Sequence, residues 1–387
     1  MTFWSRASLV SVLAATFLLS SCSQLTALVA KAVLQKQSQG PDADRLLQVV
    51  HAYAGDAKLN GGASAKEQAA NVPIDNGSEY GFEDDMALDL VRKDYDTLDK
   101  VAQDLRSTKA RFKGGVWKLS DFYDGLTRPP EGEEANDDAW EAHIADLKAW
   151  IAARPESATA RIALAETYSE YAFRARGNAY ADSVSDGGWK LFSERTALDA
   201  AVLVDAAKLK EKCPYWFEAM QHVAVAQGWS KTQAKQLLDA AIAFEPTYYH
   251  YYRVYANFLL PRWYGDPGEV QAFAEQISDQ IGGQQGKFMY FEIATVIVCG
   301  CDMPSDRAQL QVLSWPKIKD GYAALGSLYG YSNSKTNRFG YMAYIEQDRS
   351  AAQAAFSAIG DDWSQDVWES KLDFLNAKVW TEGQQGQ

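Results

Sequence analysis

From Phe82 onward, large apolar residues recur at intervals of three and four. In "FEDDMALDLVRKDYDTLDKVAQDLRSTKARF", Met86, Leu88, Leu90 and Val91 make one set, and Tyr95, Leu98, Val101 and Leu105 a second. That spacing places each set on one face of an amphipathic helix. Acidic residues open the first helix and basic residues close the second, as the helix dipole favours. "GGVWKLSDFYDGL" and "DDAWEAHIADLKAWIAARP" continue the pattern, with glycine and proline falling between the apolar sets. Alternating apolar runs of strand length are scarce, so the pattern predicts an all-α chain.

The helices repeat. With Pro155, Pro214 and Pro246 aligned as ends of successive units, Leu164, Val223 and Tyr255 lie nine positions on, and Ala165, Ala224 and Ala256 ten. In a helix hairpin the large side chain fills the gap between neighbouring units, and the alanine lets two helices approach closely. Ala234, Leu238 and Ala241, counted back from Pro246, stand where a second helix packs on the first. This predicts an antiparallel helix-pair array, an α-solenoid of tetratricopeptide-like repeats. The unit from Pro214 to Pro246 spans 32 positions, whereas that from Pro155 to Pro214 spans 59. The excess is placed at 174–192, "RARGNAYADSVSDGGWKLF", and expected as a loop on one face of the array, where a rigid scaffold usually presents binding residues. The expected organisation is N-terminal helices over 81–155, helix pairs over 156–300, and further pairs with a capping helix over 301–380.

The stretch "PTYYHYYRVYANFLLPRWYGDPG" (246–268) is dense in aromatics. On a helix, Tyr248, Tyr251, Tyr252, Tyr255 and Leu259 form one stripe, matching Trp216, Ala219, Met220, Val223 and Gln227 of the preceding unit. Most of these tyrosines are therefore read as packing residues. Tyr249 and Arg253 fall on another face and are candidates to line a groove. "PRWYGD" reads either as a stapled turn, with Asp266 capping the next helix near Pro267 and Trp263 folded inward, or as a recognition rim. In the second reading Arg262, Trp263, Tyr264 and Asp266 join Arg174, Arg176 and Trp189 as partner-binding residues, arginine and aromatics being the types that dominate binding hot spots.

Catalytic and metal signatures are absent from the sequence pattern. The four histidines, His51, His143, His222 and His250, are isolated, and neither H-E-x-x-H nor G-x-S-x-G occurs. His222, inside an apolar first helix, reads as a hydrogen-bonded packing residue. "EGEEANDD" and "FEDD" read as solvated helix caps. No catalytic residue, metal ligand or cofactor is assigned.

The amino terminus changes the picture. After "MTFWSR", Ala7 to Leu19 is apolar for about 13 residues, shorter than the ~20 a bilayer-spanning helix needs. Leu19, Ser20, Ser21 and Cys22 resemble a lipobox, which makes 1–21 a lipoprotein signal peptide and Cys22 the lipidated residue that tethers the chain to a membrane. Ser23 in place of an aspartate points to an outer-membrane address in a bacterial cell envelope, facing the periplasm. Residues 22–80, rich in Gln, Ser, Gly, Ala and Asp, read as a mostly flexible tether with one short helix near Ala43 to Ala54. Cys213, Cys299 and Cys301 allow at most one bridge within the mature chain. The net charge of -13 excludes a non-specific nucleic-acid surface, which requires clustered cations. The longest basic run, "RSTKARFK" (106–113), is expected to end a helix.

In order along the chain, "GGVWKLSDFY", "RARGNAYADSV", "GWKLFSER", "CPYWFEAM", "AQGWS" and "LLPRWYGDPGEVQAFAEQ" resemble the bacterial proteins catalogued as domain of unknown function 4034. The resemblance covers roughly 80–300 and implies a tetratricopeptide-like fold with no assigned activity. Two function classes follow: a lipid-anchored envelope scaffold that binds an envelope protein or peptide, or an envelope enzyme or small-ligand receptor that uses the arginine and tryptophan cluster.

Overall fold

A computed structural model describes residues 42–55, 72–132, 135–177, 181–297 and 303–383. The leader 1–21, Cys22, most of the tether, residues 178–180 of the 174–192 segment, Cys299 and Cys301 lie outside the described residues. Among those described, seventeen α-helices account for almost all regular structure; β1 (Ile74–Asp75) and β2 (Arg111–Phe112) form one short parallel pair. The fold is all-α and built as a helical-repeat array.

Its helices are α1 (Asp42–Gly55), α2 (Glu79–Val91), α3 (Tyr95–Thr108), α4 (Lys118–Thr127), α5 (Asp137–Ala153), α6 (Ala158–Arg176), α7 (Asp186–Ala206), α8 (Tyr215–Ala226), α9 (Lys231–Phe244), α10 (His250–Phe258), α11 (Glu269–Ile281), α12 (Gly283–Ile297), α13 (Met303–Leu310), α14 (Trp315–Tyr329), α15 (Asn333–Ile345), α16 (Arg349–Ile359) and α17 (Lys371–Glu382). Local sequence sets many of the starts. Asn136, Ser157 and Ser185 each accept a hydrogen bond from the backbone N–H three positions on, and Ser230 with Gln233 closes a reciprocal capping box.

The prolines punctuate the array as the repeat requires. Pro155 precedes α6, Pro214 precedes α8, and Pro246 separates α9 from α10. In the hairpins α6–α7, α8–α9 and α10–α11 the two helices pack on each other, and the first helices also pack in a row, α4 on α6, α6 on α8, α8 on α10 and α10 on α12. Leu164, Val223 and Tyr255 and the alanines beside them are all buried where these first helices meet. Towards the carboxyl end α12 packs on α14, α15 on α16, and α17 closes the stack against α16.

Two expectations change. The excess at 174–192 is not mainly a loop. It lengthens both helices of one hairpin, α6 having 19 residues and α7 having 21 against 12 and 14 in α8 and α9, about two turns each. The reason is local: Phe173 and Phe192 meet edge to face across that hairpin, centroids 5.2 Å apart, so apolar contact continues beyond the repeat's usual length. The helix within the tether segment is a core element, because α1 packs on α9 and its Tyr53 ring stacks on Trp216 at 4.0 Å. The Tyr53 hydroxyl accepts from the Cys213 amide at 2.7 Å. The basic run 106–113 does end a helix, with Arg106 in the last turn of α3 and Lys109 at its C-cap, and it forms no patch: Arg106 pairs with Glu211, Lys109 pairs with Glu245, and Arg111 is buried under the rings of Trp117, Tyr249 and Tyr329.

The aromatic stretch is mostly interior. Tyr248, Tyr251, Tyr252, Tyr255 and Leu259 are buried, and the polar tips find partners, Tyr251 donating to the Pro214 carbonyl at 2.9 Å and Tyr248 to Glu218 at 2.6 Å. After α10 the chain doubles back on itself so closely that a Cβ on Gly265 would lie 1.7 Å from the Leu259 carbonyl oxygen. Gly265→Ala should therefore open this turn and cost about 1–3 kcal/mol, read as a lowered midpoint in thermal unfolding by circular dichroism. Among the described residues no helix is long and apolar enough to cross a membrane.

Candidate functional site

The row of first helices, with α2 and α15 beside it, encloses a cleft of two adjoining lobes of about 500 Å³ and about 770 Å³ that share Asp124, His250, Arg253 and Arg338. In the smaller lobe α4, α6 and α8 contribute Asp124, Glu166, Glu170 and Glu218. From α10, the turn after it and α15 come Arg253, Arg262, Trp263 and Arg338. The wall made by α4, α6 and α8 thus carries carboxylates, and the wall made by α10 and α15 carries guanidinium groups.

The histidines sit where the two walls meet, His222 on α8 and His250 at the start of α10. His222 Nδ1 lies 3.1 Å from a Glu166 oxygen. Burial opposes its charge, but Glu166 outweighs that, helped by Glu218 and Asp199, and lifts the imidazole to about 10. His222 thus holds its proton more tightly than an ordinary imidazole. His250 Nδ1 stands 3.2 Å from the Ser120 hydroxyl and 3.4 Å from Glu218. Burial would push Glu218 up, yet His250, His222 and the Tyr248 hydroxyl together hold it below the usual glutamate range. Asp124 differs. Its recessed position raises it well above the usual aspartate range, and Glu218, Glu83, Glu166 and Glu170 raise it further.

The guanidinium wall is organised by Glu292, which accepts from Lys335 at 2.6 Å and from Arg253 at 2.9 Å. Arg253 also donates to Thr295. Burial depresses Lys335 to about 8 in spite of Glu292, and burial followed by the neighbouring Arg253 depresses Arg338 to about 10. Desolvated charges of this kind cost stability compared with apolar packing. Their concentration around one concavity makes it the candidate binding site.

The structure divides the residues singled out from sequence. Arg253 lines both lobes, and Arg262 and Trp263 line the smaller one. Arg176 lies between two indoles, 5.7 Å from Trp189 and 5.7 Å from Trp263, so these three form a stacked group at the cleft's edge. Tyr249 reaches the larger lobe but is only 5% exposed, its hydroxyl on Gln285 at 2.9 Å. Arg174 instead pairs with Asp137 at 2.6 Å. Tyr264 is buried with its hydroxyl on the Val225 carbonyl. Asp266 pairs with Lys231 at 2.6 Å and does not cap α11, whose N-cap is Gly268. A six-residue turn cannot aim all its side chains one way, which is why the expected rim separates.

Sequence reading passed over Asp124, Glu166, Glu218, Glu292, Lys335 and Arg338, took His222 for a packing residue and left His250 as an isolated histidine. One signal was available. Glu166 and Glu170, Glu218 and His222, and Lys335 and Arg338 are polar pairs three or four positions apart on largely apolar helices, hence on one face of each. Compared with known proteins, the chain matches no family model, no curated protein sequence and no solved structure.

Proposed function

We propose that the protein is a ligand-binding helical-repeat scaffold of the bacterial cell envelope, tethered by lipid on Cys22, and that its cleft takes a zwitterionic, peptide-like ligand. The observation that carries this reading is the division of charge within one lobe, Glu166 and Glu170 on the α6 side and Arg253, Arg262 and Arg338 on the side of α10 and α15. A ligand bearing an ammonium group at one end and a carboxylate at the other neutralises both walls, whereas a singly charged ligand satisfies one and is repelled by the other. His222, holding its proton tightly beside Glu166 and so poorly suited to proton abstraction, favours binding over hydrolysis as the cleft's task.

The test is calorimetric titration of the mature chain carrying Cys22→Ser with short peptides, free and with blocked termini. Free peptides should bind and blocked ones should lose most of their affinity. Glu170→Gln and Arg262→Gln, both at the cleft rim, should each weaken binding by about tenfold, the order expected for losing one charge-assisted contact. Equal binding of blocked and free peptides, or no binding of either, would count against the reading. The tether is tested separately: Cys22→Ala should abolish fatty-acid labelling and release the chain from the membrane fraction.

A further inference from the structure

We infer that Glu83 of α2 and Asp121 and Asp124 of α4 form a site for one hard divalent cation, Ca²⁺ by preference, in the wall of the larger lobe. Each residue offers one carboxylate oxygen, and these oxygens all lie within 4.8 Å of one another. The two aspartates sit one turn apart on α4, on the same face. Glu83 is brought to them by an unusually close crossing. A Cβ on Gly125 would stand 2.5 Å from the Glu83 carbonyl oxygen and 2.8 Å from its Cα, so only glycine lets α4 lie this close to α2.

A second observation points to a ligand. Asp121 is only 5% exposed, and its Oδ2 is buried with no hydrogen-bond partner although the residue lines the lobe. The cation whose field reaches it, Lys118, donates to Asp75. Among the described residues no donor therefore neutralises the buried oxygen, and leaving such a group unmatched is costly. The donor set selects the ion. Three carboxylates without nitrogen or sulfur suit Ca²⁺ or Mg²⁺ and not zinc. Between these two, three carboxylates gathered by the protein favour Ca²⁺, because Mg²⁺ demands near-octahedral geometry, dehydrates reluctantly and is usually held by one or two carboxylates with substrate phosphates. Water entering from the lobe completes the coordination. This inference stands on the three carboxylates and does not depend on the peptide reading, since either ligand can bind without the other.

The experiment uses the full chain in detergent, stripped with chelator and kept at moderate potassium chloride so that diffuse surface binding is screened. Calcium chloride titrated by calorimetry should bind with a stoichiometry of one, and added Ca²⁺ should raise the thermal midpoint saturably. Asp121→Asn and Glu83→Gln should each weaken binding at least tenfold. Asp121→Asn should also raise the midpoint of the metal-free protein by relieving carboxylate crowding. Glu83 is partly exposed, so its variant keeps the test decisive if Asp121→Asn fails to fold. Absence of saturable Ca²⁺ binding, or binding unchanged in the folded variants, overturns the site and leaves a proton-sharing cluster. Equal or tighter binding of magnesium chloride overturns the preference for Ca²⁺.

Discussion

Glu292→Gln is expected to destabilise the protein by about 3–5 kcal/mol, the range for stranding buried charge by removing its partner. Glu292 is 3% exposed and Lys335 6%, and Glu292 accepts from both Lys335 and Arg253. The two ends of the network respond differently to folding. Burial alone would raise Glu292, but Lys335 and Arg253 outweigh it and hold the carboxylate below its usual range. Lys335 is also lowered, to about 8, because burial takes more from the ammonium than one shared carboxylate returns. The favourable part of the network thus resides in the carboxylate serving two cations. Removing it strands both, whereas Lys335→Met leaves Glu292 with Arg253 and should cost far less. In urea unfolding followed by tryptophan fluorescence, the double variant Glu292→Gln with Lys335→Met should recover part of the loss. Equal costs for the two single variants would refute this account of the wall.

Asp199 should give the protein an unusual pH dependence. It lies on α7, buried, with neither carboxylate oxygen in a hydrogen bond. Glu166 of α6 and His222 of α8 are the charged groups that act on it. Burial raises it far above the usual aspartate range, Glu166 adds to that, and His222 opposes. In the unfolded chain the proton leaves near 3.8, while in the folded chain it stays. Between those values the folded state binds the extra proton, so stability falls as pH rises. His222 acts in the same direction at higher pH, its contribution being present below about 6.5 and lost as pH climbs through about 10. Thermal midpoints should therefore decline from pH 5 to pH 8. Asp199→Asn should remove the part belonging to Asp199, its advantage over the parent growing by up to about 1.4 kcal/mol per pH unit. A constant difference between the two proteins across that window would show that Asp199 ionises normally in the fold.

Some of this was open to view along the chain. The spacing of Met86, Leu90, Leu98 and Leu105 and the large-alanine pairs ending in Ala165, Ala224 and Ala256 all act within a few residues of themselves. Helix formation and close helix crossing depend on those local choices, so the pair array and the interior place of Tyr248, Tyr251 and Tyr255 followed. The excess around 174–192 was read as a loop, whereas contact between Phe173 and Phe192 extends the hairpin. Tyr53 gave little sign of stacking on Trp216, since nothing local records a contact across 163 positions.

The sequence by itself determined an all-α chain cut into hairpins at Pro155, Pro214 and Pro246, because period and punctuation are properties of neighbouring residues. Only the tertiary structure decided the cleft. Glu83, Asp124, Glu166, Glu218, Glu292 and Arg338 are scattered over more than half the chain, and each alone reads as an ordinary charge on a helix. Stacking the first helices in one row turns a single face of each towards a shared concavity, and that geometry converts six unremarkable charges into the walls of one cleft.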